Sequence, residues 1–526
     1  MIELRNLRLA ADESEKLLRK KAAKALRVQA TDIKSLKIIK KSLDARKKND
    51  IHWLYTLALE LNCDESKILQ RVKNTAPYKK REYTIPRIQS EKRPLVVGFG
   101  PAGMFAALIL AEAGLRPIVI ERGGDVDSRH EAIERFWESG ILDKENNVQF
   151  GEGGAGTFSD GKLNTGINDP RVAFVLETFH RFGAPEKICY DAKPHMGTDV
   201  LRKVVKAIRE HIISLGGEIR FNSRLVEIET KNGAVSYPTI ENEGHSYVVA
   251  CKDIVLAIGH SARDTFEYLH GKGIAMERKS FSMGVRIEHL QRDVGFAQYG
   301  EAYKSLPAAD YKLNCRFGEG ESAYSFCMCP GGYVVAASSE EGGVVTNGMS
   351  YSGRAGENAN AALLVGLEPS DFPGDGVLAG MYWQQEIERR AFALAGGSYK
   401  APAQTVGDFL AGKASDDCGK VKPSYRPGVF WCDLHELLPE KISSTLKKAI
   451  PELNKKLGCF ADSEAVLTAP ETRSSSPVRI LRGGDMCSLS AKGLYPCGEG
   501  AGYAGGITSA AVDGMRVAEA ILEKYK

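Results

Sequence analysis

Residues 95–121, LVVGFGPAGMFAALILAEAGLRPIVIE, decide the fold of this chain. A strand-length apolar run is followed by a helix-length run of small and apolar residues and by a second apolar run that ends in an acid. This succession is typical of a parallel βαβ unit, whose strands are buried on both faces. The glycines between the first strand and the helix follow the G-x-G-x-x-G spacing of a dinucleotide-binding turn. We therefore predict an α/β, Rossmann-type domain that begins here.

The residues of this turn have separate predicted roles. Gly98 permits the tight turn, Gly100 lets the backbone approach a pyrophosphate, and Gly103 lets the helix pack closely on the strand. Pro101 and Ala102 begin the helix, whose N-terminus stabilises phosphate charge. These five residues are candidate cofactor contacts.

An acid and a base follow the second strand of the unit. Glu121 stands at the strand end, where an acid in this fold accepts hydrogen bonds from the ribose hydroxyls of a dinucleotide. Arg122, the next residue, is included in the predicted cofactor site. The acid at this position strengthens the assignment, because a Gly-rich turn alone is a weak signal.

A second Gly-rich segment, GLYPCGEGAGYAGGITSAA at residues 493–511, follows a short strand and precedes the last helix. It resembles the second FAD signature of the glutathione-reductase-like flavoproteins, in which a strand ends in Gly-Asp and the acid binds the ribityl or pyrophosphate part of FAD. Here the pair is Gly498 and Glu499, with Glu in place of Asp. The resemblance implies that Gly505, Gly506 and Ile507 offer backbone groups to the flavin, at the positive end of the last helix.

The segments GGAGTFSDGKL, FCMCPGGYVV, ETRSSSPVRI and YPCGEGAGYAGGI together resemble a family of bacterial FAD-dependent dehydrogenases. The resemblance covers most of residues 93–526, and the leading basic region is similar to that family's first domain. It implies that Gly154 and Lys162 line the flavin, that the backbone of Val226 holds the adenine, and that Gly259 lies at a crossover on the cofactor side.

The length and charge of the chain predict several domains. At 526 residues it exceeds one compact core. Residues 1–92 contain 23 Lys and Arg against 12 Asp and Glu, a net charge of +11, which leaves −7 for the rest of a chain whose total is +4. We predict a basic α+β module of β-α-β-β-α order at 1–90, an FAD-binding domain of three-layer ββα type at 93–280 and 466–526, and an inserted α+β substrate or cap domain at 281–465. Within the insertion, NANAALLVGL is interpreted as a helix.

The residues that carry the reaction are harder to find. Lys162, Cys497 and Arg473 are the weak catalytic candidates, the last because Arg473 and Arg479 flank three serines and could bind an anion. The pair Cys327 and Cys329 is predicted to share one face of a strand, where strain disfavours a disulfide; buried reduced thiols are the favoured interpretation of all three cysteines.

Other functional classes are constrained by what the sequence lacks. His195 and His260 are isolated histidines that are more often structural than proton donors, and no HxH, HExxH or carboxylate cluster predicts a metal. The 11 cysteines form no CxxC, and neither a signal-peptide core nor a span of about 18 apolar residues is present. A cytoplasmic protein without a membrane span is expected.

The favoured function is an FAD-dependent oxidoreductase that passes hydride from NADH or NADPH through FAD to an unidentified small-molecule acceptor. An RNA-directed flavoenzyme that uses the basic module is a less favoured alternative, because such charge is more often a solvated or docking face. A flavin-binding sensor without turnover ranks last. The sequence leaves the oligomeric state open.

Overall fold

The computed structural model describes residues 1–80 and 82–525. The first elements along the chain are β1 (Ile2–Ala10), α1 (Leu18–Leu26), β2 (Ile33–Asp44), β3 (His52–Leu61), α2 (Glu65–Arg71) and β4 (Thr75–Pro77). The next are β5 (Leu95–Val97), α3 (Pro101–Ala113), β6 (Ile118–Ile120), α4 (Val126–Ser139), α5 (Arg171–Arg181), α6 (Thr198–Ser214), β7 (Glu218–Arg220), β8 (Ser223–Lys231), β9 (Ala234–Asn242), β10 (His245–Val248), β11 (Ile254–Leu256) and α7 (Arg263–Gly271). Then follow β12 (Met276–Arg278), β13 (Phe281–Leu290), α8 (Gln291–Tyr299), β14 (Asn314–Arg316), β15 (Ser322–Cys329), β16 (Tyr333–Ala336), β17 (Thr346–Met349), β18 (Asn358–Leu367), α9 (Ala379–Leu394), β19 (Ala401–Thr405), α10 (Val406–Ala411), β20 (Val429–Trp431), α11 (Glu440–Asn454), β21 (Val466–Glu471) and β22 (Val478–Ile480). The last elements are β23 (Leu494–Pro496) and α12 (Ile507–Tyr525).

The basic N-terminal region forms a four-stranded sheet in the order β2-β3-β1-β4. Its elements follow the predicted β-α-β-β-α order, with the short strand β4 added at the end. Leu18, Ala22 and Leu26 are buried at a spacing of four residues, so one face of α1 covers the sheet. The region therefore has a small hydrophobic core of its own.

A five-stranded sheet in the order β23-β11-β5-β6-β7 forms the centre of the next region, and all four of its strand pairings are parallel. Alternate residues of each strand enter two different cores. Val96 and Val119 pack against the helices, among them α3, α6 and α12. Leu95 and Ile118 pack against the antiparallel sheet β8-β9-β10 on the other side. The result is three layers: an antiparallel sheet, a parallel sheet and helices.

The order of this parallel sheet places a ligand crevice at one point. From β5 the chain proceeds to β6 on one side and returns to β11 on the other. In open parallel sheets, ligands bind beyond the carboxyl ends of the strands where the order reverses. Gly98, after β5, and Ala257, after β11, lie at this point.

A seven-stranded sheet in the order β14-β15-β18-β13-β21-β19-β20 occupies the central part of the chain. Its third strand, β18, is the segment NANAALLVGL, so the helix predicted there is wrong. Nine of the ten residues of β18 are buried, and both neighbouring strands pair with it in antiparallel register. Because nearly every side chain is inside, the segment has no apolar periodicity that could distinguish strand from helix.

Strand β21 extends this sheet beyond the predicted end of the insertion at residue 465. Val466 and Thr468 pair with β13, and Thr468 also pairs with Ala403 of β19. The return to the parallel sheet therefore comes after Glu471, through the short antiparallel pair β12 and β22.

Candidate functional site

The turn between β5 and α3 is held by its glycines. Gly98 has φ +95° and donates its N–H to Ile120 O at 2.8 Å. A Cβ on Gly98 would lie 2.3 Å from Ala257 O, and one on Gly103 would lie 1.9 Å from Gly98 O. Gly98 is therefore required by its backbone conformation and by neighbouring atoms, and Gly103 is required by packing.

At two other positions, neither the backbone conformation nor the packing of the protein requires a glycine. Gly100 has φ −73°, which any residue adopts, and a Cβ there would come no nearer than 3.7 Å to Gly154. Gly505 is exposed, outside the left-handed region, and a Cβ there would meet no described atom within 4 Å. Gly100 lies at the start of α3, and Gly505 lies just before α12. They leave the space that a closely approaching dinucleotide needs, so the residues present fit FAD.

A loop at residues 151–158, called here the glycine loop, joins the starts of these two helices. Gly153 N donates to Phe99 O at 2.9 Å, and a Cβ on Gly154 would lie 2.9 Å from Gly100 Cα. In the same loop, a Cβ on Gly156 would lie 2.9 Å from the Ile507 side chain. The positive ends of α3 and α12 therefore meet at one loop, where both favour negative charge.

Arg129 of α4 holds the glycine loop in shape through hydrogen bonds to backbone carbonyl groups. Its guanidinium is completely buried and donates to Asn147 O at 2.9 Å, Val148 O at 2.9 Å, Glu152 O at 2.7 Å and Gly154 O at 2.9 Å. Burial lowers the pKa of Arg129 to about 9. The planar fork of donors fixes the carbonyl groups of the loop, so Arg129 is a positioning residue for the predicted cofactor site.

Glu121 lies at the end of β6, 5% exposed. Its carboxylate accepts from Phe99 N at 2.8 Å, Gly123 N at 3.0 Å and Gly151 N at 2.9 Å. These three bonds tie the Gly98 turn to the glycine loop. A carboxylate has about four acceptor positions, so about one remains for the predicted ribose contact.

Arg122 was predicted to belong to the cofactor site, but its guanidinium binds two acids outside that site. It donates to Glu145 at 2.6 Å and to Asp264 at 3.0 Å, and its guanidinium lies 4.0 Å from the ring centroid of Phe150. This arrangement joins the loop after β6 to α7 and leaves Arg122 beside the site as a structural cross-link.

The second Gly-rich segment is anchored by an acid of the last helix. Asp513 of α12 accepts from Gly498 N at 2.7 Å and pairs with Arg482 at 2.6 Å. Gly498 has φ +76°, and a Cβ on it would lie 2.7 Å from the Ala102 side chain. The end of β23 is therefore fixed against both α3 and α12.

Glu499, the acid of the predicted Gly-Glu pair, lies close to His260. The distance from Glu499 Oε1 to His260 Nδ1 is 3.3 Å, and His260 Nε2 is buried without a hydrogen-bond partner among the described residues. Gly259 has φ +68°, and Gly500 packs against its carbonyl group. The structure thus brings the β11 crossover and the second Gly-rich segment together.

Val226 lies at a bulge in β8, outside the β8–β9 register, which passes from Leu225 to Glu227. The start of the same strand is joined to β6, because Ser223 N donates to Glu121 O at 2.9 Å. The backbone of Val226 is therefore irregular, and its contact with an adenine stays a prediction.

Two residues after the glycine loop begins a group of buried and half-buried ionisable side chains, called here the polar cluster: Asp160, Lys162, Arg286, Cys327, Cys329, Arg354 and Glu471. Asp160 pairs with Lys162 at 2.8 Å and with Arg354 at 2.5 Å. Burial alone would raise the pKa of Asp160, but these two cations lower it below its usual range. The cluster therefore contains a carboxylate that stays ionised at neutral pH.

The other half of the polar cluster lies on the seven-stranded sheet. Arg286 of β13 is fully buried and pairs with Glu471 at 3.3 Å, and it donates to Asn360 Oδ1 at 2.5 Å. Burial raises the pKa of Glu471 to about 7. Arg286 Nε and Asn360 Nδ2 have no partner among residues 1–80 and 82–525. Buried unpaired donors of this kind indicate a place for a polar ligand or ordered water.

Two catalytic candidates do not fit a role in chemistry. Arg473 is buried and fully engaged with Glu388 at 2.8 Å and Ser339 at 2.5 Å, so its guanidinium is not available to an anionic substrate. Cys497 is completely buried, and burial followed by the nearby Asp513 carboxylate raises the pKa of its thiol well above the ordinary value. Both residues are therefore structural. Burial leaves Cys497 as an unreactive thiol, and Arg473 is held in an ion pair.

The remaining candidates divide similarly. Burial, followed by the charge of Arg354, lowers the pKa of His195 to about 4, so this residue is neutral at pH 7 and is no proton donor there. Arg479 pairs with Glu277 at 2.8 Å on the surface. Lys162 is the one predicted catalytic candidate that lies in the polar cluster.

Several residues of the site carried no recognisable signal in the sequence. Arg129, Asp513, Arg286 and Glu471 act through partners that are 15 or more positions distant along the chain. Asp160 had the nearest thing to a signal, because it stands in the same Gly-rich segment as Lys162. A charged residue inside an otherwise apolar strand, such as Arg286 in FSMGVRIEHL, is a pattern that could have identified the cluster.

The fold and the site together define an α/β protein with a dinucleotide cradle. Residues 280–474 match the family described as "FAD-dependent protein, C-terminal domain-like", and residues 1–60 match a domain of unknown function. An uncharacterized protein of Clostridium beijerinckii is 48% identical over 533 residues, which cover 100% of this chain and 99% of that protein. The chain therefore belongs to the same family as the C. beijerinckii protein and carries the C-terminal domain of FAD-dependent proteins. This match supports FAD as its cofactor.

Solved flavoprotein structures show a weaker likeness. A flavin-dependent brominase is 13% identical with a TM-score of 0.37, and the match covers 83% of this chain and 80% of that one. A glycine oxidase of Bacillus cereus is 12% identical with a TM-score of 0.31, covering 82% and 95%. The narrower resemblance to glutathione-reductase-like flavoproteins is not confirmed by these comparisons and stays a prediction.

In the part of the chain that the structure describes, no group of three or more His, Cys, Asp or Glu side chains could hold a metal ion. None of the helices in residues 1–80 and 82–525 has the length and apolar character needed to span a bilayer.

Proposed function

We propose that the protein is an FAD-dependent oxidoreductase that takes hydride from NADH or NADPH and reduces a small-molecule acceptor. The observation that carries this proposal is the meeting of α3, α12 and the glycine loop at the carboxyl end of β5. When bound there, FAD would supply two-electron redox chemistry at its ring. A cytoplasmic location is part of the proposal, since all 11 cysteines are free thiols.

In this proposal the protein's residues divide the binding work. The start of α3 would bind the pyrophosphate, and Glu121 would bind the adenosine ribose through its remaining acceptor position. The start of α12, with Gly505 and Gly506, would place its positive end where negative charge develops on reduction. As in the glutathione-reductase-like flavoproteins that the C-terminal segment resembles, Glu499 would contact the middle part of the cofactor.

The acceptor would bind at the polar cluster. Lys162 and Arg354 would attract an anionic or strongly polar molecule, while Asp160 holds both cations in place. The unpaired donors of Arg286 and Asn360 would provide further hydrogen bonds. The seven-stranded sheet would cover the acceptor and exclude water, which strengthens each of these interactions.

An anaerobic absorbance titration of the purified holoprotein tests the proposal. We expect NADPH or NADH to bleach the flavin bands, with one donor effective at lower concentration. If neither donor reduced a flavin that dithionite does reduce, the nicotinamide part would be wrong. If the purified protein bound no FAD at all, the whole proposal would fail.

The exposed basic edge of the N-terminal sheet gives the RNA-directed alternative its one structural argument. Lys34, Lys37 and Lys40 are exposed along the edge strand β2. Part of this charge is already paired within the module, as in Lys34 with Glu60 at 2.5 Å. RNA binding whose affinity falls steeply with salt, and that is lost when these three lysines are replaced by Gln, would support the alternative.

A further inference from the structure

Two cysteines of the polar cluster lie on an irregular part of strand β15. The register of β15 with β18 breaks between Phe326 and Cys329, and Cys327 within the break has φ +39°. A left-handed conformation is unfavourable for a residue with a side chain and persists where the surroundings enforce it, often at functional sites. The bulge breaks the strand alternation on which the sequence-based prediction of a shared face depended.

The surroundings of the pair favour a thiolate on Cys327. Cys329 Sγ donates to the carbonyl oxygen of Cys327 at 3.2 Å, so the two residues are in direct contact. The neighbouring Cys329 side chain lowers the pKa of the Cys327 thiol, and the charges of Lys162 and Arg286 lower it further. The Cys327 side chain, followed by burial, raises the pKa of Cys329 well above its ordinary value. The pair thus contains one thiol that ionises easily and one that keeps its proton, which is the division of roles found in dithiol redox pairs.

A continuous path of contacts joins the pair to the start of α12. Thr508, in the first turn of α12, donates to Leu163 O at 2.6 Å. The adjacent residue, Lys162, donates from its ammonium group to the carbonyl oxygen of Met328, which stands between the two cysteines. Lys162 and Leu163 therefore link the backbone between the two cysteines to the first turn of α12.

We propose that Cys327 and Cys329 form a redox-active dithiol that exchanges two electrons with the flavin, an inference that rests on the proposed function. Oxidation of the pair breaks two S–H bonds, forms one S–S bond and releases two electrons and two protons, which oxidised FAD accepts. In the opposite direction, two electrons and two protons from reduced FAD restore the two thiols. A cytoplasmic disulfide of this kind is transient and catalytic, in agreement with the reduced state of both cysteines here.

The pair also defines the chemistry of an acceptor, namely a small disulfide. The Cys327 thiolate attacks one sulfur of the substrate, so that a Cys327–substrate S–S bond forms and the other half leaves as a thiol with a proton from solvent. Cys329 then attacks the Cys327 sulfur, forms the protein disulfide and passes its proton to the second leaving thiolate. Arg286 and Lys162 stabilise the negative sulfur in each step.

Electron counting on the holoprotein tests the exchange with the flavin. Air-oxidised protein is titrated anaerobically with dithionite; we expect four electrons per FAD for the unmodified chain and two for Cys327→Ser and for Cys329→Ser. Cys189→Ser, which removes a half-buried thiol elsewhere, should retain four. Uptake of only two electrons by the unmodified holoprotein would overturn the proposal while leaving FAD binding intact.

Peptide mass mapping gives a readout that does not depend on flavin. After mild oxidation and alkylation, we expect a disulfide within the peptide that contains Cys327 and Cys329, and alkylated thiols elsewhere. In Cys329→Ser, cystine at pH 6.5 should form a mixed disulfide at Cys327 faster than at the exposed Cys63. Alkylation of both Cys327 and Cys329 after oxidation, or reaction of Cys63 alone with cystine, would contradict the proposal. Failure to bind FAD would instead count against the proposed function.

Discussion

At the scale of single residues, Arg129 fixes the shape of the glycine loop and therefore of the predicted cofactor site. We expect Arg129→Lys to weaken FAD binding about 10- to 100-fold and to lower the free energy of unfolding by about 2–4 kcal/mol. A lysine keeps the charge but cannot reach four carbonyl oxygens at once, so the glycine loop loses its fixed shape. Calorimetric titration of the apoprotein with FAD, together with urea unfolding, measures both effects.

The matched control for this change is Arg135→Lys, an exposed position on the same helix. It should alter neither quantity by more than about 0.5 kcal/mol. Unchanged FAD affinity in Arg129→Lys would show that the loop keeps its shape without the guanidinium.

Glu152 predicts a dependence of stability on pH. Burial raises its pKa to about 7, from an ordinary value of 4.5. The stabilisation from the bound proton is fully present below pH 4.5 and is lost as the pH rises through 7, a loss of about 3 kcal/mol at about 1.36 kcal/mol per pKa unit. Glu152→Gln cannot ionise, so we expect its stability relative to the unmodified chain to rise by up to this amount between pH 4.5 and pH 8.

Urea unfolding of both proteins across this pH range measures the difference. Glu210→Gln, at an exposed position of α6, is the matched control. A flat difference for Glu152→Gln would mean that the pKa of its carboxyl group is not raised in the folded protein.

Residue roles could be predicted from sequence where the cause is local. Gly98 has φ +95° within the turn, and Gly103 packs against the carbonyl oxygen of Gly98, so the spacing of this segment predicted both roles. Arg473 was predicted to bind an anion because its neighbours in sequence are serines, whereas its partner in space is Glu388 of α9. A buried ion pair between distant segments leaves no pattern in either segment alone.

At the scale of elements, the start of α12 gives a test that separates binding from stability. A Cβ at Gly505 would meet no described atom within 4 Å, so we expect Gly505→Val to leave the free energy of unfolding within about 1 kcal/mol of its original value. The same side chain would occupy space that the flavin needs and should weaken FAD binding by at least about 10-fold. Fluorescence titration of the apoprotein with FAD checks this.

Gly458→Val is the matched control, since Gly458 is also exposed and open but lies after α11. It should bind FAD normally. Equal FAD affinities for the two variants would move the flavin away from the start of α12.

Elements were predictable where their burial is one-sided or their length is decisive. Helix α3 lies between two recognisable strands, so it was expected at the position observed. Strand β18 is buried on both faces, and its Ala and Leu residues favour a helix locally. Pairing with β13 and β15 overrides that preference, which only the assembled sheet can provide.

At the scale of the whole molecule, residues 78–93 connect the basic module to the parallel-sheet region, and Tyr83 packs against that region. Tyr83 donates to Glu519 of α12 at 2.6 Å and contacts the Phe174 ring at 4.6 Å between centroids. We expect Tyr83→Ala to increase trypsin cleavage after Lys79, Lys80 and Arg87 by about 10-fold, because local opening then costs about 1.4 kcal/mol less.

Limited proteolysis of the native protein, followed by mass spectrometry of the fragments, measures the rate. Glu82→Ala, an exposed neighbour, should be cut at the original rate. An unchanged rate in Tyr83→Ala would show that the segment is held by other contacts, such as the hydrogen bond from Ile88 N to Ala113 O at 2.8 Å.

The general architecture followed from the sequence because one βαβ unit and one terminal Gly-rich segment fix the parallel sheet. The limits of the central sheet did not follow, since β21 continues it past residue 465 through pairing with strands that lie far earlier. The polar cluster arises only where that sheet meets the glycine loop. Its members therefore come together only in the folded chain.

The predicted cofactor cradle is assembled from three stretches, near residues 98–103, 151–158 and 498–507, that are far apart along the chain. A growing polypeptide emerges from the ribosome with the first two stretches long before the third. Until the segment Ile507–Tyr525 has been synthesised and has packed on α3, no complete cradle exists. Binding of FAD at the complete cradle would therefore require that this segment has been synthesised and has packed on α3.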